Sequence, residues 1–363
     1  MPESDFTTLA EPSVSSVPNP LRSILIRIGK ILFKVAFVGG IFCFLINIIQ
    51  MSDLRDLAKR WPWVLVSIAL YFVAMLSCSL RYKLLLRALD MHSRFRDVFS
   101  FSMIAGLFYL VWWVVGDLVK AYYVFRSTRA GSGKPNIGLI VLSVFLDRIV
   151  GFFALLTLGF IVSIVAWPQL QNEPNLRRLV LLFAGVCAGA LVFFFIMVSE
   201  KLENSPLRKR LMQIVPFHQK LEAIYAGFAG LRHHKPILAA MLGLSILNHI
   251  IVCVIMLLLM QGVTFTSAAT GLIVAPEAMP SALSCLTVLP LGFFLSTFGM
   301  AFGFGVGTVA FELLFQRLLG IGGVAKMVLA FQIVGLLFRL LGIPFWLLYR
   351  RKAGVETMES RDA

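Results

Sequence analysis

Charge is what this chain has least of. Only 14% of its 363 residues are Asp, Glu, Lys or Arg, while 59% are hydrophobic, where an ordinary globular domain carries about a quarter charged. That supply of polar side chains cannot cover a water-soluble core, which excludes a sizeable soluble domain. Acid is scarcer still, with 18 Asp+Glu against 33 Lys+Arg and a formal net charge of +15. No Ser/His/Asp set, no metal-ligand spacing and no nucleotide fingerprint occurs, so no catalytic residue, metal or cofactor is expected. The five cysteines, Cys43, Cys78, Cys187, Cys253 and Cys285, stand singly in apolar runs without a CxxC. They read as small hydrophobes rather than disulfide partners or metal ligands.

Long apolar runs fill the chain instead: Ile31 to Ile49, Pro62 to Leu80, Leu179 to Val198, Ile237 to Met260 and Ala325 to Tyr349. Each reaches the roughly 18 residues that mark a candidate membrane span. The fold class is therefore an all-α polytopic membrane protein. About six helices span the bilayer and two ambiguous regions, 98–116 and 267–323, are broken or re-entrant; the alternative is eight helices. Residues 1–30 read as a disordered cytoplasmic leader, 31–350 as the integral membrane domain and 351–363 as a cytoplasmic tail. The basic residues flank apolar runs, so their expected partners are membrane lipids with anionic phosphate headgroups and not nucleic acid.

Loop charge sets the orientation. With both ambiguous regions entering and leaving on one face, the great majority of the bases fall on one side. That predicts a multi-pass protein of the cell inner (plasma) membrane with both termini cytoplasmic. The same reading produces two spans, a broken segment and a third span, twice over, in halves of about 31–178 and 179–350. Three crossings separate the copies, so the second is inverted, and Ile149-Val150-Gly151 echoes as Ile333-Val334-Gly335. Inverted repeats with interrupted segments in corresponding places are a transporter pattern. Two basic stretches with helical apolar stripes, Arg81 to Asp97 and 218–235, are expected to lie along the inner membrane surface.

Polar residues inside apolar runs each cost about 2.5–3.5 kcal/mol at a helix centre, and so need a reason. They are Asp117 and Lys120, Asp147 and Arg148, Asn248 and His249, Glu277, Glu312 and Arg339. Asp147 and Arg148 are sequence neighbours, about 100° apart on a helix, so they cannot neutralise one another and each needs another partner. Helix ties and headgroup contacts both remain open for these charges. Trp112, Trp113, Tyr122 and Tyr123 suit an interface belt. Gly299, Gly303, Gly305 and Gly307 suit either a packing seam or a re-entrant turn. His249 is explained by an interhelical hydrogen bond.

Three segments, Arg81-Tyr82-Lys83-Leu84-Leu85-Leu86, Gly116-Asp117-Leu118-Val119-Lys120-Ala121-Tyr122-Tyr123 and Leu146-Asp147-Arg148-Ile149-Val150-Gly151, carry a resemblance. They are similar to the flippase-like membrane domain of lysylphosphatidylglycerol synthases and its free-standing relatives, over nearly all of 31–350. Two places depart from the family pattern. Val111-Trp112-Trp113-Val114-Val115 stands where a Pro-Gly-Gly stretch is usual, and Gly307-Thr308 where Arg-Glu is usual. The resemblance implies translocation of a phospholipid, an aminoacylated lipid or a lipid-linked glycan between leaflets, without aminoacyl transfer, since only Arg350–Ala363 follows the last run. The substrate contacts expected on this basis are Arg81, Asp117, Lys120, Asp147, Arg148 and Arg339. A membrane enzyme such as a polyprenyl-phosphate glycosyltransferase, with Asp117 or Asp147 as base, and an accessory subunit for lipid-pathway enzymes are the alternatives.

Overall fold

The computed structural model describes residue 59 and residues 61–110, 113–130, 137–170, 174–198, 234–261, 265–267, 269–274, 279–299 and 304–349. These belong to one compact unit, Ser52–Ala363; a second unit, Met1–Met51, lies outside the described residues. So do the run at Ile31, most of the 218–235 stripe, Cys43, Trp112, Glu277 and Gly303.

Nine α-helices are described: α1 (Trp61–Ala88), α2 (Phe95–Phe108), α3 (Trp113–Ala130), α4 (Ile137–Ala166), α5 (Pro174–Val198), α6 (Lys235–Met260), α7 (Ala282–Gly299), α8 (Phe304–Leu319) and α9 (Val324–Leu340). Helix α9 runs on past a turn to Tyr349. Four helices, α1, α4, α6 and α9, are long and apolar enough to cross a membrane. In lipid the helix satisfies every backbone polar group within its own segment, and these four are continuous.

Both ambiguous regions are helical hairpins. In the first, Phe101 of α2 stacks on Tyr123 of α3 at 5.6 Å, and Tyr109 at the end of α2 bonds Asp117 near the start of α3. The pairing converges toward the turn, as antiparallel limbs require. In the second, Phe293 of α7 meets Phe311 of α8 at 5.2 Å. A two-stranded antiparallel ribbon, β1 (Thr266–Ser267) with β2 (Ile321–Gly322), joins the entry of this hairpin to its exit. Each hairpin therefore enters and leaves on one side. The described residues repeat the order long helix, short hairpin, long helix: α1, α2–α3, α4 and then α6, α7–α8, α9.

Packing follows the same symmetry. Helix α1 packs against α6, with the Ser77 hydroxyl donating to Leu244 O at 3.0 Å and Cys78 reaching Asn248. Gly151 of α4 receives His249 of α6, whose Nε2 bonds Gly151 O at 2.9 Å. Its counterpart Gly335 of α9 receives the Tyr71 hydroxyl of α1, 3.1 Å from where a Cβ would stand. At each echoed glycine a polar side chain of α1 comes close, Arg81 at Gly151, 3.2 Å from where a Cβ would stand, and Tyr71 at Gly335.

One expectation is corrected. Arg81–Ala88 continues α1 instead of lying along the membrane surface, and Arg81, Tyr82, Leu85 and Leu86 are buried. The helix is closed by the turn at Asp90, which takes φ 57° while Met91 N donates to Leu86 O and Asp90 N to Arg87 O. That is a Schellman closure with Asp in the left-handed position. The basic residues of this stretch misled because Arg81 turns inward to a buried carboxylate.

Glu312 is accounted for by structure. Its carboxylate accepts from Gly323 N (2.8 Å), Ala325 N (2.7 Å) and Gln316 Nε2 (2.8 Å), capping the N-terminus of α9, where the helix dipole favours a negative group.

Candidate functional site

Helices α3 and α4 each bring one acid and one base, and the pairs cross. Asp147 of α4 is buried and accepts from Lys120 Nζ of α3 at 3.1 Å and from Arg81 Nε of α1 at 2.8 Å. Asp117 of α3 accepts from Arg148 of α4, through Nη2 to Oδ1 at 2.8 Å and Nε to Oδ2 at 3.2 Å. The sequence requirement that Asp147 and Arg148 find separate partners is met across this helix interface. Asp117 and Lys120, one turn apart, likewise turn to different partners.

Further groups hold the pairs in place. Arg81 also donates from Nη1 to Ser245 Oγ of α6 at 2.8 Å. The Lys120 ammonium sits 3.4 Å from the centroid of the Tyr82 ring, and the Tyr82 hydroxyl bonds Ser143 at 3.0 Å. Tyr109 donates its hydroxyl to Asp117 Oδ1 at 2.7 Å and lies under the Arg148 guanidinium, 4.9 Å from centroid to Cζ. Gly116 makes that possible, because a Cβ there would overlap the Tyr109 ring. Sequence reasoning missed Tyr109, Tyr82, Ser143 and Ser245. An isolated tyrosine or serine in an apolar run carries no periodic mark, although Tyr109 stands eight residues before Asp117.

Arg81, Asp117, Asp147 and Arg148 face a cavity of about 810 Å³ between α1, α3, α4, α5, α6 and α7. Cys78, Arg81, Asp117, Asp147, Arg148, Asn248 and His249 supply its polar wall, and Phe145, Phe152, Phe153, Phe193 and Phe194 much of the rest. Nearly half of the Arg148 side chain, 48%, is accessible, against 9% for Asp147. Lys120 is not on the wall; it stands behind Asp147. Arg81 lies past the midpoint of α1 toward Ala88, and Asp147 and Arg148 before the midpoint of α4 toward Ile137. The contacts Arg81–Asp147 and Tyr82–Ser143 put those two helix ends on the same side. The charged band is thus nearer one membrane face, roughly 10–17 Å along each helix from its end at 1.5 Å per residue.

Arg339 is set apart. It is not part of the cavity wall, and its electrostatic neighbours are Tyr71, Tyr109 and Arg148. Among the described residues no carboxylate pairs with it.

The family model described as the lysylphosphatidylglycerol synthase TM region matches residues 31–291. The chain belongs to that family. It is a multi-pass membrane protein of lipid-related function. The match ends within α7, short of the second glycine run and α9, the part in which the family's Arg-Glu is replaced by Gly307-Thr308. Neither a curated protein nor a solved structure matches the chain.

Proposed function

We propose that this protein is a lipid translocase, which carries the polar headgroup of a membrane lipid through the cavity between α1, α4 and α6 while the acyl chains remain in the bilayer. The supporting observation is the cavity itself: Arg81, Asp147 and the Asp117–Arg148 ion pair line a chamber whose remaining wall is largely apolar. A headgroup crossing bare hydrocarbon pays the full desolvation of its charge, and fixed polar partners lower that cost. Inverted hairpins between the halves offer an element that can rock around a fixed site. Arg81, Asp117, Asp147 and Arg148 line this route; Lys120 acts by holding Asp147.

The enzyme alternative is less well supported. Both aspartates already accept hydrogen bonds from bases, so neither stands ready as a general base or metal ligand. The orientation with termini in the cytoplasm of the inner membrane rests on loop charge alone, and places the polar wall nearer the inner leaflet.

The test is a leaflet-resolved assay on proteoliposomes holding a fluorescent phospholipid, read by dithionite quenching. Wild-type protein should accelerate exchange between leaflets, and Arg148→Ala should slow it while inserting normally. Exchange equal to that of protein-free vesicles for each phospholipid class tried would count against translocation.

A further inference from the structure

The charged residues make up only part of the cavity's polar wall. Another part is neutral and belongs to α6, where Asn248 and His249 both line the chamber near the midpoint of the helix. Each is tethered through one atom. The Cys78 thiol of α1 donates to Asn248 Oδ1 at 3.4 Å, which leaves both Nδ2 hydrogens to spend elsewhere. His249 Nε2 lies 2.9 Å from Gly151 O. A carbonyl only accepts, so Nε2 carries the hydrogen and the neutral ring presents Nδ1 as a bare acceptor. Among the described residues neither Asn248 Nδ2 nor His249 Nδ1 has a hydrogen-bond partner, and neither is sealed in the packing as Ser67 Oγ and Ser93 Oγ are. Their free edges therefore open into the cavity. An apolar residue at either position would pack the bundle without the cost of a polar side chain at the centre of a spanning helix.

We infer that Asn248 and His249 form a hydroxyl-binding subsite, and that the headgroup taken into the cavity is polyhydroxylated, a glycerol or a sugar. The inference rests on the reading that this cavity receives a lipid headgroup. A hydroxyl is donor and acceptor in one atom, so its hydrogen goes to His249 Nδ1 while its oxygen accepts from Asn248 Nδ2. A phosphodiester oxygen only accepts and an ammonium only donates, so either would satisfy one of these two edges and leave the other unmet. Gly151 joins this neutral edge to the charged one. It holds His249 through its carbonyl, and Arg81 Nη1 lies 3.2 Å from where its Cβ would stand. Gly151 is also three residues beyond Arg148 on α4, a rise of roughly 4.5 Å at 1.5 Å per residue. One helical turn is the span of a short polyol, so hydroxyls reach α6 from a headgroup whose phosphate rests near Arg148.

Native mass spectrometry of the purified full chain, in a detergent without a sugar head, tests this by titration in separate arms with phosphatidylglycerol, phosphatidylinositol, phosphatidylethanol and soluble glycerol phosphate. The three lipids carry the same phosphodiester charge, and phosphatidylethanol alone lacks headgroup hydroxyls. At least one hydroxylated lipid should bind about tenfold more tightly than phosphatidylethanol, the worth of one good net hydrogen bond; which of the two does so separates glycerol from a larger ring. Asn248→Leu should erase that advantage and leave phosphatidylethanol binding as it was. His249→Gln, whose Nε2 keeps a donor for Gly151 O while Nδ1 is lost, should reduce the advantage several-fold. Equal binding of all three lipids overturns the inference, as does an advantage unchanged in folded Asn248→Leu or His249→Gln protein. A loss shared equally by all three lipids also overturns it, because that is a structural effect. Glycerol phosphate binding as tightly as the lipids overturns a lipid as the ligand. If the hydroxyl preference holds but leaflet exchange is absent, the subsite stands and the translocase reading falls; exchange at one rate for phosphatidylethanol and both hydroxylated lipids, without a binding preference, gives the reverse.

Discussion

Arg148 and Asp117 close on each other across the α3–α4 interface through parallel hydrogen bonds, at 2.8 Å from Nη2 and 3.2 Å from Nε, with the Tyr109 ring beneath the guanidinium. The pair is the accessible one of the two that cross this interface. Its partner pair, Lys120–Asp147, is sealed. That difference in burial separates a pair able to exchange partners with a headgroup from one that locks helices together.

Asp117→Asn should therefore be mild for the fold and marked for function. Arg148 keeps its cation–π contact and its accessible face, so the stability loss is expected to stay within about 1 kcal/mol, as for other accessible pairs. Released from its carboxylate, Arg148 should hold a headgroup phosphate longer, so leaflet exchange slows. Thermal unfolding in detergent, read beside the exchange assay, checks both halves.

Asp147→Asn should behave in the opposite manner. It strands the Arg81 guanidinium and the Lys120 ammonium in the packed bundle, and breaking such a buried pair costs about 3–5 kcal/mol. The expected result is poor accumulation and early unfolding. Adding Lys120→Met should recover part of the loss, because one stranded cation is removed and its methylene stem is replaced. A double variant no better than the single would show that Lys120 is not the source of the penalty.

Much of this is legible in the sequence, and what is not has a physical reason. The 3.6-residue geometry alone forbade Asp147 and Arg148 from neutralising each other, and the structure supplies separate partners. Which partners they take depends on how α3 rotates against α4, and no local pattern encodes that. Arg81 reads as part of a wet helix face because Lys83 and Arg87 follow it, whereas its guanidinium is buried on Asp147. The hairpins were legible as interruptions, by their glycines and aromatics, but their limbs were not. Tyr109 stayed hidden because its role comes from the overlap with Gly116 that only the folded turn creates. Glu312 reads in the sequence only as a charge inside an apolar run that needs a reason, and the reason is a helix cap.

Glu312→Ala provides the contrast that a purely structural residue should give. It removes the acceptor for Gly323 N and Ala325 N at the start of α9, and the loss of a cap costs about 0.5–2 kcal/mol. Unfolding should shift to lower temperature accordingly. The leaflet exchange rate of the folded protein should not move, since Glu312 is not on the cavity wall. A changed rate at full folding would mean that the second hairpin is coupled directly to the cavity.

The hairpins make a topological prediction that single-site labelling can decide. Helix α1 is antiparallel to α4, as Arg81–Asp147 and Tyr82–Ser143 show, and α6 runs parallel to α4, since Arg81 joins Asp147 to Ser245 and His249 joins Gly151 in the same register, so the ends at Ala88, Ile137 and Lys235 share one face. His92, in the link from α1 to α2, and His234, at the start of α6, should then be reached from the same side. Thr270 lies in the turn after β1, beyond the far end of α6, and should be reached only from the other. In a background with the native cysteines replaced, a membrane-impermeant maleimide added to intact cells should label Thr270→Cys and leave His92→Cys and His234→Cys untouched until the membrane is opened. The choice of which face is cytoplasmic comes from the basic loops, while the grouping of the sites comes from the helix contacts. Labelling of all three positions from one side would break the hairpin topology; labelling with the grouping intact and the faces exchanged would reverse the orientation only, and would move the charged band to the outer half of the membrane.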